Sequence, residues 1–305
     1  MKRILIVTLF TAGVAVAQSN QSLIGVPWLG WIFDSEAKAA RPITGLAMSA
    51  ILGAKTDAAL SLAVGSPEGS FALGVAAEGG KVLVVRGDGA TELAGAKIGP
   101  SRIVMSVRGT VAALYFDDGN TVQVFDGLPG APRLARELTL DEAPVALAVD
   151  GATATVMASS DAGLFAYRAE QGKQLVIAGA GIVDAEFFSS GGDLVAVSEG
   201  KVTLVRGGQW TELSADEGVV EPLRAAVSMD GKSLVVLLRQ GGVVIRDLAS
   251  GNRRVLTCNC KAGELRRLRG NLVFRLNGME DGTVWLVNGD DDEPKVTFVA
   301  MRGDN

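Results

Sequence analysis

A chain of 305 residues with no histidine, two cysteines and a formal net charge of −5 excludes Ser-His-Asp hydrolysis, imidazole acid–base catalysis, imidazole-ligated zinc and histidine-ligated haem. Carboxylate chemistry, calcium binding or no chemistry at all remain. Thirty-nine glycines, roughly twice the usual share, and the scarcity of long runs with a 3.6-residue period point to a turn-rich all-β chain.

Met1-Lys2-Arg3, the apolar run from Ile4 to Val16 and the small-residue triplet Ala15-Val16-Ala17 read as a secretory signal peptide, residues 1–17, cleaved near Ala17. The run is short for a transmembrane helix, and no cysteine follows the cleavage site to carry a lipid. The expected product is residues 18–305, secreted or periplasmic, a monomer of one domain with no membrane span. Loss of Lys2 and Arg3 takes its formal net charge to −7, a balance that argues against nucleic acid as a partner.

Beyond the leader, residues 22–30 hold Pro27 and two glycines and read as irregular or as a single edge strand. Ile32 to Ile43, IFDSEAKAARPI, aligns with Ile245 to Leu256, IRDLASGNRRVL, and so reads as the third and fourth strands of a repeat without its first and second. An alanine-rich connection from Gly45 to Asp57 leads into a glycine that recurs at Gly69, Gly109, Gly151, Gly191, Gly231 and Gly270, about every 40 residues. Ala226 to Leu256 is the clearest copy. A short strand ends in the turn Met229-Asp230-Gly231-Lys232, Ser233 to Arg239 follows, Gly241-Gly242 turns into Val243 to Asp247, and Ser250-Gly251-Asn252 turns into the polar strand Arg253 to Leu256. The run SLVVLL is apolar enough to be buried on both faces, and the last strand is polar enough to be an edge.

Five further copies supply second and third strands at Phe71 to Ala76 with Lys81 to Arg86, Val111 to Phe116 with Thr121 to Asp126, Thr153 to Ser159 with Gly163 to Arg168, Asp193 to Ser198 with Lys201 to Arg206, and Asn271 to Leu276 with Thr283 to Asn288; Lys295 to Met301 is a final fourth strand. Lys81 to Leu93 and Lys201 to Leu213 share eight identities in thirteen positions, three repeats apart. Four short strands every 40 or so residues is the pattern of a β-propeller of four-stranded antiparallel blades. Dividing the length beyond Ala17 by the repeat gives close to seven, so seven blades with an incomplete first one are expected; six with an N-terminal extension is the alternative. Strands of this length are too short for an outer-membrane barrel.

The repeat resembles the broad WD-like and YVTN-like group of exported bacterial propellers. Its ending, CNCKAGELRRL followed by NLVFRLN, TVWLVN and EPKVTFV, is similar to uncharacterised members of that group. The Gly-His pair and Trp-Asp blade ending of true WD40 repeats are absent. The resemblance implies a fold and transfers no catalytic residue.

Seven residues before the turn glycine, Arg102, Asp184 and Arg224 fall at equivalent positions on the strand expected to line the axis. Glu186, two residues past Asp184, shares its face, and Glu264 lies one register step away. These five are the candidate ligand-binding residues of a channel mouth: the arginines would hold an anion or sugar and a carboxylate would polarise it, or the charges would simply neutralise one another around a wet channel. Cys258 and Cys260 are a candidate disulfide that needs a turn at Asn259. The acidic run Asp290 to Glu293 lacks calcium-loop spacing and reads as a hairpin turn; Arg-Gly-Asp occurs at both 86–88 and 302–304 and reads as composition. No metal site and no cofactor are expected. The expected role is a non-catalytic scaffold for a protein or small ligand, with a carboxylate-dependent hydrolase or lyase of extracellular polysaccharide as the alternative.

Overall fold

The computed structural model of the protein describes residues 27–87, 89–189, 192–214, 218–258, 260–279 and 282–301. The leader, the turn glycine Gly191, Asn259 and the second Arg-Gly-Asp lie outside them. Apart from two 3-10 turns, the regular secondary structure among the described residues is all strand. It opens with β1 (Trp28–Asp34), β2 (Ala39–Thr44) and β3 (Ile51–Leu52). The first blade is β4 (Leu60–Gly65), β5 (Ala72–Ala76), β6 (Val82–Arg86) and β7 (Gly89–Glu92), and the second is β8 (Arg102–Met105), β9 (Ala112–Phe116), β10 (Thr121–Asp126) and β11 (Arg133–Thr139). The third is β12 (Leu147–Val149), β13 (Val156–Ser160), β14 (Gly163–Arg168) and β15 (Gly172–Ala178). The fourth is β16 (Asp184–Phe187), β17 (Leu194–Ser198), β18 (Lys201–Arg206) and β19 (Gln209–Leu213), and the fifth is β20 (Pro222–Val227), β21 (Ser233–Leu238), β22 (Gly242–Asp247) and β23 (Arg253–Thr257). The chain ends with β24 (Arg266–Arg267), β25 (Val273–Arg275), β26 (Val284–Asn288) and β27 (Lys295–Met301).

Each of the five blades is a separate antiparallel meander, paired in chain order. The remaining strands form one seven-stranded sheet in the order β1-β2-β3-β27-β26-β25-β24, in which β27 pairs with β3 in parallel through Ala300 and Met301. The expectation of seven blades, or six, is therefore corrected to five blades and one larger sheet. The physical reason is that the N-terminal segment brings three strands among the described residues, and the short third one pairs with the edge of the last strand of the chain. The alignment of Ile32 to Ile43 with a third and fourth strand is corrected with it. The hairpin is real, Phe33 facing Ala40 and Asp34 facing Ala39, but β1 pairs with β2 alone, as an edge of the sheet, and packs beside β4.

Burial follows a strand's place in its blade. SLVVLL of β21 is buried along its middle, and RRVLT of β23 is almost wholly exposed. No blade covers both of its faces, so the core is a series of layers between neighbours. Phe71, Leu73 and Val84 of the first blade pack against Ile103, Leu114 and Phe125 of the second. Similar layers continue around the ring to the seven-stranded sheet, where Leu29, Ile32 and Ile43 meet Leu268, Val284 and Leu286. The recurring glycine marks the contact between blades. At Gly69 the backbone takes φ +73 and an added Cβ would lie 3.0 Å from the Leu29 backbone; at Gly109, with φ +68, it would lie 3.2 Å from Ser66 and Pro67. The third blade departs from register. Asp150 Oδ2 accepts from the Thr153 N–H (3.0 Å) and hydroxyl (2.6 Å), and this turn delays the second strand from Thr153 to Val156.

Candidate functional site

The first strands of the blades face one another around the axis, and the space between them is a cavity of about 300 Å³. Arg102, Asp184, Glu186, Arg224 and Glu264 all line it. Each gets there by the same local rule. The residue that opens β8 or β16, or sits two residues into β20, points inward, and period-two alternation brings Glu186 to the face of Asp184. Glu264 reaches the cavity although the count from Gly270 lands on Gly263, because the N–H groups of Gly263 and Glu264 both donate to the Leu276 carbonyl, at 3.0 Å each. Two residues facing one acceptor is a bulge, and it restores the register.

The two arginines expected to hold a ligand are anchored to the backbone. Arg102 Nη1 donates to the carbonyls of Pro144 (3.1 Å) and Val145 (2.9 Å). Arg224 Nη1 donates to those of Leu223 (2.9 Å) and Val183 (3.4 Å). Burial above all lowers the Arg102 pKa, against the pull of Tyr115 and Asp117 and with the repulsion of Arg266 and Arg224; a guanidinium still remains a cation. Asp184 keeps part of its surface accessible but sits deep among the strands, and burial pushes its carboxyl up to about 6. Arg224, the Ala225 N–H (3.2 Å to Oδ2) and Arg266 act in the opposite sense, and the neighbouring Glu186 adds to the rise.

Three functional candidates escape a count based on the repeat: Arg266, Arg267 and Arg275. Arg266 is exposed and lines the cavity. Arg267 is buried; its Nη2 donates to Glu186 Oε1 (2.8 Å) and to the Val227 carbonyl (2.6 Å), and its guanidinium lies 4.9 Å from the centre of the Phe274 ring. Arg275 Nη2 donates to Glu264 Oε2 at 2.7 Å. The available signal was Glu264-Leu-Arg-Arg267 itself, where alternation carries Arg266 to the face of Glu264. A second cavity of about 200 Å³ adjoins the first, shares Val64, Gly65, Glu264, Arg266 and Arg267 with it, and extends to Trp31, Phe33 and Arg275.

Cys258 and Cys260 have Cα atoms 5.1 Å apart, within the span of a relaxed bridge. The turn expected at Asn259 lies outside the described residues. In the acidic run, Asp290 Oδ2 accepts from the Asn271 N–H (3.0 Å) and Asp291 Oδ2 from Asn288 Nδ2 (2.8 Å), so both carboxylates brace a turn. Among the described residues no helix is long and apolar enough to cross a membrane. Of the tryptophans, Trp31 is buried with its indole N–H on the Gly69 carbonyl (3.1 Å), Trp285 is half-buried against Phe298, and Trp210 is exposed.

No known protein-family model matches the sequence, and no curated protein matches it. Its fold is similar to the crystal structure of a functionally unknown protein from Desulfotomaculum acetoxidans DSM 771, at 8% identity and a TM-score of 0.59, over 90% of this chain and 99% of that one. At that identity the likeness speaks for the fold alone: a ring of four-stranded antiparallel blades, built like a β-propeller.

Proposed function

We propose that the protein is an exported, non-catalytic propeller of the WD-like or YVTN-like kind whose task is to bind a small ligand in the axial cavity. One observation carries the reading: residues singled out by register in three separate blades, Arg102, Asp184 and Arg224, line one cavity together with Glu186 and Glu264. Export rests on the Lys-Arg start, the apolar run and the Ala-Val-Ala site, and N-terminal sequencing of secreted material should return a chain beginning at Gln18. For the ligand, the purified protein is exposed to an extract of the growth medium and envelope, desalted, and the retained solutes are identified by mass spectrometry. Retention that disappears in Arg102→Ala and Arg224→Ala variants of unchanged melting temperature supports the reading. A protein that retains nothing speaks for a role carried by its outer surface.

A second reading, a carboxylate-dependent hydrolase or lyase of extracellular polysaccharide, draws on Asp184, whose raised pKa suits a general acid two residues from the carboxylate of Glu186. New reducing ends released from a polysaccharide panel, and lost in Asp184→Asn, would replace binding with catalysis.

A further inference from the structure

We infer that the side of the cavity formed by Arg266 and Arg267 is an oxyanion subsite, built to take the carboxylate, phosphate or sulfate group of a small solute. The inference rests on the binding reading above and names the chemistry of its ligand.

Charge is the first argument. The two adjoining cavities are lined by five arginines, Arg102, Arg224, Arg266, Arg267 and Arg275, against three carboxylates, Asp184, Glu186 and Glu264. A positive interior in a chain of net charge −5 is the reverse of what composition alone would place there. Low-dielectric walls focus such a field on the cavity and raise the local concentration of anions.

Hydrogen-bonding capacity is the second, independent argument, and it picks out one side. Glu186 is paired with Arg267 and Glu264 with Arg275, so two of the carboxylates are already matched. Arg102 and Arg224 are tied through Nη1 to backbone carbonyls. Arg266 is exposed and makes no hydrogen bond or ion pair among the described residues. Arg267 is 8% exposed, and while its Nη2 is engaged, its Nε and Nη1 are buried without a partner among those residues. Buried donors without acceptors are rare in folded proteins and mark a place where an acceptor is wanted. The Phe274 ring and the Val227 carbonyl hold the Arg267 guanidinium in place. An oxyanion in the cavity therefore finds the free guanidinium fork of Arg266 for charge-assisted hydrogen bonds, with the fixed Arg267 cation and its unmatched Nε and Nη1 donors behind it.

Sulfate and glucuronate are titrated calorimetrically into the full-length purified protein at constant ionic strength, with methyl glucoside as the neutral control. Saturable one-to-one binding of the anions, with the neutral sugar silent, is expected. Arg266→Gln, an exposed change, should weaken that binding by about tenfold or more without moving the melting temperature. Arg267→Met should weaken it further; if that variant fails to fold, Arg266→Lys, which keeps the charge and loses the fork, takes its place with an intermediate loss. Anions that bind Arg266→Gln as tightly as the parent, or that do not saturate the parent, overturn the inference. Methyl glucoside bound while sulfate and glucuronate are not, or a neutral solute retained in the extract experiment, overturns it too and leaves the cavity as a binding site for something uncharged.

Discussion

The five blades and the seven-stranded sheet solve the same closure problem with different residues. In the blades, position-for-position repetition does the work. Ser66, Ser106 and Ser228, each the residue after a first strand, accept the N–H of Phe71, Val111 and Ser233, and the charged pairs are pushed to the outer strands, as in Lys81–Glu92 with side chains 58% and 55% exposed. In the seven-stranded sheet the ion pairs go inward. Arg41 binds Asp34 with the side chains 10% and 7% exposed, Arg267 at 4% binds Glu186, and Arg275 at 11% binds Glu264. A two-residue β24 and an edge strand β1 leave space that a full blade would fill with backbone and aliphatic side chains, and arginines occupy it. Regular repeats give the ring its stability and bring Arg102, Asp184, Glu186 and Arg224 to the axis; the irregular seam adds Glu264, Arg266 and Arg267 to the same cavity.

The strongest way to break the contrast is to remove the clasp. A chain ending before Lys295 lacks β27, and with it the parallel link to β3 and the buried Val299. Since each layer of core exists only between neighbours, the truncated protein should lose its cooperative thermal transition, followed by circular dichroism. A melt as sharp as that of the full chain would show that the ring does not depend on its seam. Next in size is Arg41→Met, which strands the buried Asp34. Burial alone would raise the Asp34 pKa; the Ala37 N–H and the Arg41 guanidinium outweigh it and hold the carboxyl below its usual range. Loss of one partner of such a pair costs about 3–5 kcal/mol, read from urea midpoints.

The axis and the seam should also differ in the sign of their pH dependence. Asp184 has a folded-state pKa of about 6, above its unfolded value, so its contribution is fully present below the unfolded pKa and is lost as pH rises through about 6. Asp34 is shifted the other way: its contribution is present above the unfolded pKa and fades as pH falls through its lowered folded value. Asp184→Asn should therefore gain on the parent as pH rises from 4 to 7, by up to about 3 kcal/mol. A constant difference between the two over that range would mean that Asp184 stays ionised at the axis.

How much of this was legible follows the same division. Comparing repeats locates strands, the buried SLVVLL, the exposed edge RRVLT and the in-register positions of Arg102, Asp184 and Arg224, because each copy checks the others. It fails where there is no copy to compare. IFDSEAKAARPI looks like the β22 and β23 hairpin and does form a hairpin, but similarity of a hairpin says nothing of its neighbours, and β1 lies beside β4 instead. Arg266 and Arg267 were hidden by the bulge at Gly263 and Glu264, which a count from Gly270 does not see. Blade number was out of reach for a further reason: a parallel pair of two residues, β3 with β27, leaves no pattern in either segment.

A smaller effect is expected at Cys258 and Cys260, near the start of the connection into the seam. If the two are bridged, both thiols of the unreduced protein resist alkylation. Closing so short a loop restricts the unfolded chain little, so Cys258→Ser should lower stability by on the order of 1.5 kcal/mol. A much larger loss would mean that the bridge also sets the path of the chain into β24.

The smallest effect belongs to the blades and tests whether their repeated charges matter at all. Lys81 binds Glu92 and Lys201 binds Glu212, each at 2.7 Å, at matching positions of the two segments that share eight of thirteen residues. Side chains 41% to 58% exposed feel solvent screening, and two long side chains lose rotamer freedom when held together. A double-mutant cycle on either pair should give a coupling between about 0 and 1 kcal/mol that vanishes in 1 M salt, where the screening length shrinks to about 3 Å. Exact repetition of a pair is then a trace of how the chain was copied, whereas the unrepeated Arg267–Glu186 pair, buried and facing the axis, should keep its coupling in the same salt. If the repeated pairs prove as strong and as salt-resistant as that one, the division between stabilising blades and functional seam fails on electrostatic grounds.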